Sequence, residues 1–295
     1  MKVLVTGASG FIGRPLVSLL AARGHHVRAL VRRSDEAQII PGAEVEVGDV
    51  RDAGAVDRST RGMDAVVHLA AATGVARASV ARQVNVQGTR QVLDALKVNG
   101  GRRVVFISSI SASRDRMGPY GQTKREGEAL VAQSALEWVI LRPSLVYGPG
   151  PAGLFARLQR SMKGPVLPMI GEGSIELDPI HVDDVCQVIG QCLERDDVLS
   201  KTYDLLGPDR VTFRQLIDRL AARTGATPRI VKLPPELALA IARALGVVLE
   251  RPPLTEDNVL GMISPARVDG GPARRDFPIS WTGLEAGLEK LGQAA

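Results

Sequence analysis

Residues 1–13, Met1-Lys2-Val3-Leu4-Val5-Thr6-Gly7-Ala8-Ser9-Gly10-Phe11-Ile12-Gly13, decide how this chain folds. Val3, Leu4 and Val5 form a short apolar run with β character, which stops at glycines spaced three apart. Helical spacing follows at once in Phe11, Ile12, Leu16, Leu19 and Leu20. A buried strand, a glycine turn and a helix N-terminus make an anion site, because backbone N–H groups and the positive end of the helix dipole converge there. Gly7 permits the turn, Gly10 lets a pyrophosphate approach the backbone, and Gly13 lets the helix pack against the strand. Strand, turn and helix in this order predict a nucleotide-binding α/β fold.

Further strands are predicted at His26–Val31, Val45–Val47, Ala65–Leu69, Val104–Ile107 and Trp138–Leu141. Helical patterns cover Phe11–Ala22, Val80–Val98 and Gly118–Ser134. Strands alternating with helices imply right-handed crossovers and a doubly wound parallel sheet covered on both faces, a Rossmann arrangement. After Arg142 the texture changes: residues 143–179 are rich in Pro and Gly and hold one helix candidate, Leu154–Met162. A strand–helix unit at Ile180–Leu193 and a strand at Thr202–Leu206 return to the first pattern. Thr212 and Gln215 match a capping box for a helix running to about Arg223, and the Pro-punctuated tail from Pro228 to Ala295 reads as small helices. The predicted division is a Rossmann domain of residues 1–142 plus 180–206, and a smaller, mostly helical C-terminal lobe for substrate, of residues 143–179 plus 207–295.

With 295 residues the chain is long enough for both parts. Its 45% hydrophobic content with 3% aromatics describes a soluble protein with a Val, Leu, Ala and Ile core. The net charge of +5 comes from arginines spread along the chain, with no basic run and no aromatic interleaving, which argues against nucleic acid as a partner. Cys186 and Cys192 lie six apart in a predicted helix, with no cluster at metal spacing, and read as buried reduced thiols. The longest apolar stretch, Leu237–Leu249, is broken by Arg243 and too short to span a bilayer. With the first strand starting at residue 2 and no leader ahead of it, a cytoplasmic location is the expectation.

Cofactor choice is read at the end of the second strand. A fold that prefers NAD usually carries a carboxylate there for the ribose 2′-hydroxyl. Here Val27–Val31 runs into Arg32 and Arg33, with no acid until Asp35. Guanidinium groups suit a 2′-phosphate, so NADP(H) is the expected cofactor and NAD(H) the alternative. Tyr120 and Lys124, four apart on a predicted helix, share a face. A nearby ammonium favours the phenolate and would make Tyr120 a usable acid/base.

With these residues in place, the chain resembles an extended or atypical short-chain dehydrogenase/reductase, within the NAD-dependent epimerase/dehydratase-like superfamily. The likeness rests on the Thr6–Gly13 turn, Gly48-Asp49-Val50, His68-Leu69-Ala70-Ala71 and Asn85-Val86-Gln87-Gly88-Thr89. It continues through Arg142-Pro143-Ser144, Val146–Gly150 and His181–Val185. The resemblance implies Tyr120 and Lys124 as the catalytic pair, with Lys124 also on the nicotinamide ribose and Asp49 on adenine. It implies a cofactor surface of Gly7, Ser9, Gly10, Phe11, Ile12, Gly13, Arg32, Arg33, Asp49, Val50, Leu69, Ala70, Ala71, Asn85, Ser108, Tyr120, Lys124, Pro143 and Val146. No metal site is implied. Relatives pair through helices corresponding to Val80–Val98 and Gly118–Ser134, which allows a homodimer. The pattern is closest to the branch that resembles the NADPH-binding accessory subunit of respiratory complex I, on Tyr203–Pro208 and Lys232–Pro235.

Departures from the family narrow the function. Ile110 falls where the family keeps a catalytic Ser or Thr, leaving Ser109 or Ser111 to substitute. Leu177 replaces an arginine that grips the substrate's phosphates in nucleotide-sugar enzymes. The expected function is therefore NADP(H)-dependent hydride transfer to or from a small, fairly apolar carbonyl or alcohol. A nucleotide-sugar epimerase or dehydratase, and a low-activity NADPH-binding scaffold or sensor, are the alternatives. His68 and His181 read as structural, and Asp183 as the cap of the helix after it.

Overall fold

The computed structural model describes residues 1–74, 77–150 and 154–292. In chain order the first part runs β1 (Lys2–Thr6), α1 (Gly13–Ala22), β2 (His26–Val31), β3 (Glu44–Val47), α2 (Ala53–Thr60), β4 (Ala65–His68), α3 (Ala78–Arg82), α4 (Thr89–Val98), β5 (Arg103–Ile107), α5 (Pro119–Ala132) and β6 (Glu137–Pro143). Then follow β7 (Val146–Tyr147), α6 (Leu154–Met162), β8 (Val166–Ile170), β9 (Glu176–Leu177), β10 (Ile180–His181), α7 (Val182–Glu194) and β11 (Lys201–Leu205). The last part is β12 (Val211–Thr212), α8 (Phe213–Thr224), β13 (Arg229–Leu233), α9 (Pro235–Val248), α10 (Glu256–Ile263), α11 (Gly271–Asp276) and α12 (Leu284–Gly292).

Seven strands form one sheet in the order β11-β6-β5-β4-β1-β2-β3, parallel throughout. This is the predicted Rossmann sheet, and its strands are apolar on both faces. On one face Val3, Val5, Val67, Val105 and Leu141 pack with Leu16 and Leu20 of α1 and Val185 and Ile189 of α7. On the other, Leu4, Val66, Val104, Phe106 and Ile140 pack with Val92 and Leu96 of α4 and Val131 of α5. The period-2 alternation thus serves two cores, which is why these strands read as continuous apolar runs.

The predicted Val80–Val98 helix is interrupted. Residues Gln83–Gly88 form a π-helical turn between α3 and α4. Periodicity counts every turn alike and cannot place one wider turn. The capping box of α8 is present in both directions, with Thr212 accepting from Gln215 N and the Gln215 side chain accepting from Thr212 N. The cap of α7 differs from the expectation. His181 takes that position, with Nδ1 3.3 Å from Asp183 N. Asp183 lies two residues too late to serve.

The C-terminal elements gather around separate apolar cores, one including Tyr147, Phe155, Leu216, Leu220 and Leu284, and a smaller one with Leu239 and Val259. This lobe is mostly helical, but it also holds the parallel pair β8–β13 and the antiparallel pair β9–β12. Those strands are short, and only tertiary pairing reveals them. Residues 293–295 at the end of the predicted helical tail lie outside the described residues. Cys186 and Cys192 are buried free thiols within α7, and burial pushes both well above the ordinary thiol range. Among the described residues no helix is long and apolar enough to cross a membrane.

Burial on both faces of the sheet predicts comparable sensitivity of either face. Leu4→Ala and Val5→Ala, on opposite cores, should each cost about 1–4 kcal/mol in urea unfolding, the range for deleting buried aliphatic groups. Val98→Ala, at an exposed position, should stay within about 0.5 kcal/mol of the parent.

Candidate active site

At its C-terminal end β1 turns sharply through Gly7, whose φ is +69°. A Cβ there would also lie 2.8 Å from Ala70 N, so glycine is required by conformation and by space. A Cβ at Gly13 would lie 2.5 Å from Ala8 O, which explains why α1 can start so close to the turn. Asn85, in the π-helical turn, accepts from Ala72 N at 2.7 Å and donates to Thr123 Oγ1 of α5 at 2.9 Å. It thereby ties the segment after β4 to the helix that carries Tyr120.

These elements enclose one cavity of about 470 Å³. Gly7, Ser9, Gly10, Phe11, Ile12 and Gly13 line one wall, and Arg32, Asp49 and Val50 line a second. Leu69, Ala70 and Ala71 form the floor, with Ser108, Ser109, Tyr120, Pro143 and Val146 at the far end. Residues distant in sequence and chosen for nucleotide chemistry therefore meet in one space.

Several expected residues do not line it. Arg33 is exposed and its guanidinium is spent on Asp35, at 3.0 and 3.1 Å. An acid two residues on captures it before it can reach the cavity. Arg32 does line the cavity, and its side chain forms no hydrogen bond or ion pair among the described residues. Asn85 supports the wall from behind through the bonds given above, and Lys124 is fully buried behind Tyr120. Ser111 also points elsewhere: its hydroxyl accepts from Arg114 Nη1 at 3.1 Å, and its N–H donates to Ser109 Oγ at 3.1 Å. Of the two candidate substitutes, only Ser109 meets Tyr120, hydrogen-bonding the phenol.

The electrostatics differ from the simple picture of an ammonium acidifying a phenol. Burial pushes Tyr120 up to about 12, with the Asp257 charge adding to the rise and the Ser109 hydrogen bond opposing it. Lys124 is itself pulled down to about 7 by burial, with Glu128 acting the other way. Its Nζ donates to Ile107 O at 2.5 Å and lies 4.2 Å from the Phe106 ring centroid. His68 is driven to about 3 by burial and by Lys124, so it is neutral, bridging Thr6 Oγ1 at 2.7 Å and Thr89 Oγ1 at 3.0 Å. The structural reading of His68 fits this geometry.

Two acids escaped the sequence reading. Glu36 Oε2 accepts from Ser9 Oγ at 2.9 Å and from Arg32 N at 3.2 Å, placing a carboxylate beside the glycine turn. Its signal was present four residues after Arg32, but the fold of that connection was needed to aim it. Glu128 accepts from Ser108 Oγ at 2.5 Å and pairs with Arg142 at 2.7 and 2.8 Å, joining α5 to the ends of β5 and β6. Its position one turn beyond Lys124 was the available signal. Asp49 is held below the usual carboxylate range chiefly by hydrogen bonds from Arg51.

The model of the NAD-dependent epimerase/dehydratase family matches residues 3–205, and the chain belongs to that family. It is 31% identical to a 2-alkyl-3-oxoalkanoate reductase of Stenotrophomonas maltophilia (strain K279a), across 99% of this chain and 98% of that one. It is 32% identical to a ceramide reductase of Caulobacter vibrioides (strain NA1000 / CB15N), across 79% of this chain and 73% of the relative. The structure of MoeE5 in complex with UDP-glucuronic acid and NAD matches with a TM-score of 0.79 and 25% identity, covering 100% of this chain and 98% of that chain. Relatives carry the names of reductases, epimerases and dehydrogenases, which makes this chain an NAD(P)-dependent oxidoreductase or epimerase.

The depressed Lys124 predicts a pH dependence of stability. On unfolding, the amine returns to 10.5, so between about pH 7 and 10.5 the unfolded chain holds the extra proton and stability rises with pH. Urea unfolding of cofactor-free protein should show wild type gaining on Lys124→Met as pH rises through that window. A constant difference between the two would refute the burial of a titrating amine.

Proposed function

We propose that the chain is an NADP(H)-dependent oxidoreductase that transfers hydride to or from a small, fairly apolar carbonyl or alcohol. The observation carrying this reading is that one cavity is lined by the glycine turn, Arg32, Asp49, Ser109 and Tyr120 together. The glycine cradle has no room for side chains and so fits a pyrophosphate, and the uncommitted Arg32 guanidinium fits a 2′-phosphate. Glu36 beside Ser9 is the feature that would suit a 2′-hydroxyl, keeping NAD(H) as the alternative. We assign residues 1–142 plus 180–206 to the cofactor and residues 143–179 plus 207–295 to the substrate.

When bound, the nicotinamide supplies or accepts the hydride. Tyr120 gives its proton to the carbonyl oxygen in reduction and takes it back in oxidation. Ser109 holds the phenol through its hydroxyl and is the second donor toward that oxygen. Lys124 would hold the nicotinamide ribose, and its charge would favour loss of the phenolic proton. Val80, Val84, Ile107, Pro143 and Val146 in the cavity lining suit a substrate with aliphatic parts. The names of the two reductases, for an alkyl-substituted oxoalkanoate and for ceramide, support that class.

A nucleotide-sugar epimerase is the second reading, favoured by the UDP-glucuronic acid in the MoeE5 complex. Against it, Leu177 is buried, and its neighbours Glu176 and Asp178 occupy Arg210, at 3.7 and 2.8 Å. A diphosphate would meet carboxylates and a committed arginine there. A thermal shift with nucleoside diphosphates would revive this reading.

Tyr120→Phe should lower kcat for ketone reduction by about 10²–10⁴-fold, the usual worth of a positioned general acid. Full activity in that variant would refute the mechanism. Arg32→Ala should lower kcat/KM with NADPH by about tenfold or more while leaving NADH within about twofold, as loss of a charge-assisted contact to one phosphate requires. Equal losses with both cofactors would reject the 2′-phosphate assignment.

A further inference from the structure

The helix carrying Tyr120 begins without a cap of its own. Gly118 is the N-cap of α5 and offers no side chain, and Pro119 at the first helical position has no N–H. The next donors are those of Tyr120 and Gly121. Both are taken by one carboxylate from the far end of the chain: Tyr120 N lies 3.0 Å from Asp257 Oδ2, and Gly121 N lies 3.1 Å from Asp257 Oδ1. Asp257 sits in the first turn of α10, whose own cap is the Thr255–Asn258 capping box. Its carboxylate is thus free of local duty and lies between the positive ends of two helices.

Room for this contact is built into the chain. A Cβ at Gly118 would stand 2.7 Å from Asp257 Cγ and Oδ2, so any larger residue would expel the carboxylate. Gly118 itself has φ −81°, which alanine adopts without strain. The glycine is therefore explained by space alone. Both Asp257 oxygens accept a backbone N–H, bonds that favour the ionised carboxylate, while burial pushes the carboxyl above its ordinary range. Arg114, half-buried after β5, supplies a facing positive charge, and Glu256 adds a negative one beside it.

We propose that Asp257 is a positioning residue of the active site, a carboxylate of the C-terminal lobe that clamps the first turn of α5 and so holds Tyr120 against the cavity. This rests on the reading of Tyr120 as the proton donor. The groups facing Tyr120 are Ser109 from the turn after β5, Asp257 from α10, and Lys124 behind it on α5. Of these, Asp257 is the negative charge, and it opposes the phenolate. The C-terminal lobe thereby also sets the position of the acid.

The test uses the full chain with Asp257→Asn, which keeps the shape and removes the charge, and Gly118→Ala, which keeps the charge and displaces it. In Asp257→Asn the alkaline limb of kcat/KM for ketone reduction should move down by about 0.5–1 pH unit, because a nearby anion no longer disfavours the phenolate. In both variants kcat should fall by about tenfold while the NADPH dissociation constant, read by cofactor fluorescence, stays within about twofold, as expected for a group touching no cofactor atom. Tyrosinate ultraviolet absorbance should appear at lower pH in Asp257→Asn, and Tyr120→Phe in that background should abolish the shift. The other phenols, Tyr147 and Tyr203, are held higher still. An unmoved limb and an unmoved tyrosinate onset would overturn the proposal, as would a parallel loss of NADPH affinity. The absorbance readout needs no turnover, so it separates failure of this clamp from failure of the Tyr120 mechanism.

Discussion

The close approach of two strand ends governs the rest of this molecule. β1 is flanked by β2 on one side and β4 on the other, so the chain leaves the sheet in opposite directions at their C-terminal ends. A crevice must open at such a point. Glycine at position 7 is what lets the two strand ends come so close, because a Cβ there would lie 2.8–3.0 Å from the Leu69–Ala70 backbone. Thr6, His68 and Thr89 then pin the two strand ends and α4 together beneath it. Neutral His68 can bridge two hydroxyls in this dry spot because either ring nitrogen serves without carrying charge.

Beneath the crevice the protein buries ionisable groups in an ordered way. Glu128 and Arg142 pair with one another, whereas Lys124 donates to a carbonyl and lies over an aromatic face, with the Glu128 charge nearby. An amine in such surroundings is poorly solvated and surrenders its proton easily. It is therefore poised for a ligand bringing hydroxyl groups into its reach. Burial holds Tyr120 in its neutral form and brings Lys124 down to about 7.

The fold was legible because its signals are local. Strand runs, the glycine turn, the Thr212–Gln215 box and the Tyr120–Lys124 spacing each lie within a few residues. What stayed hidden depends on chain reversal. Arg33 looked equivalent to Arg32 until Asp35 folded back onto it. Glu36 gained meaning only when its connection brought it to Ser9. Asp257, 137 residues from Tyr120, left no trace in either neighbourhood. Ser109 and Ser111 were indistinguishable by spacing, and a short turn capped by Ser109 itself separated them. Sequence order thus disclosed the elements, while the partners of individual polar groups required the closed structure.

The π-helical turn at Gln83–Gly88 has an evolutionary side. Such a turn amounts to one residue more than an α-helix needs. Here the surplus, which includes Val84, lies between Val80, which faces the cavity, and α4, which is packed on the sheet. Loss of one residue would heal the helix and swing everything before it by roughly 100°, the angle between successive α-helical residues. A single-codon deletion would thus redraw the pocket's wall without touching the sheet, giving this scaffold a cheap route from one substrate shape to another.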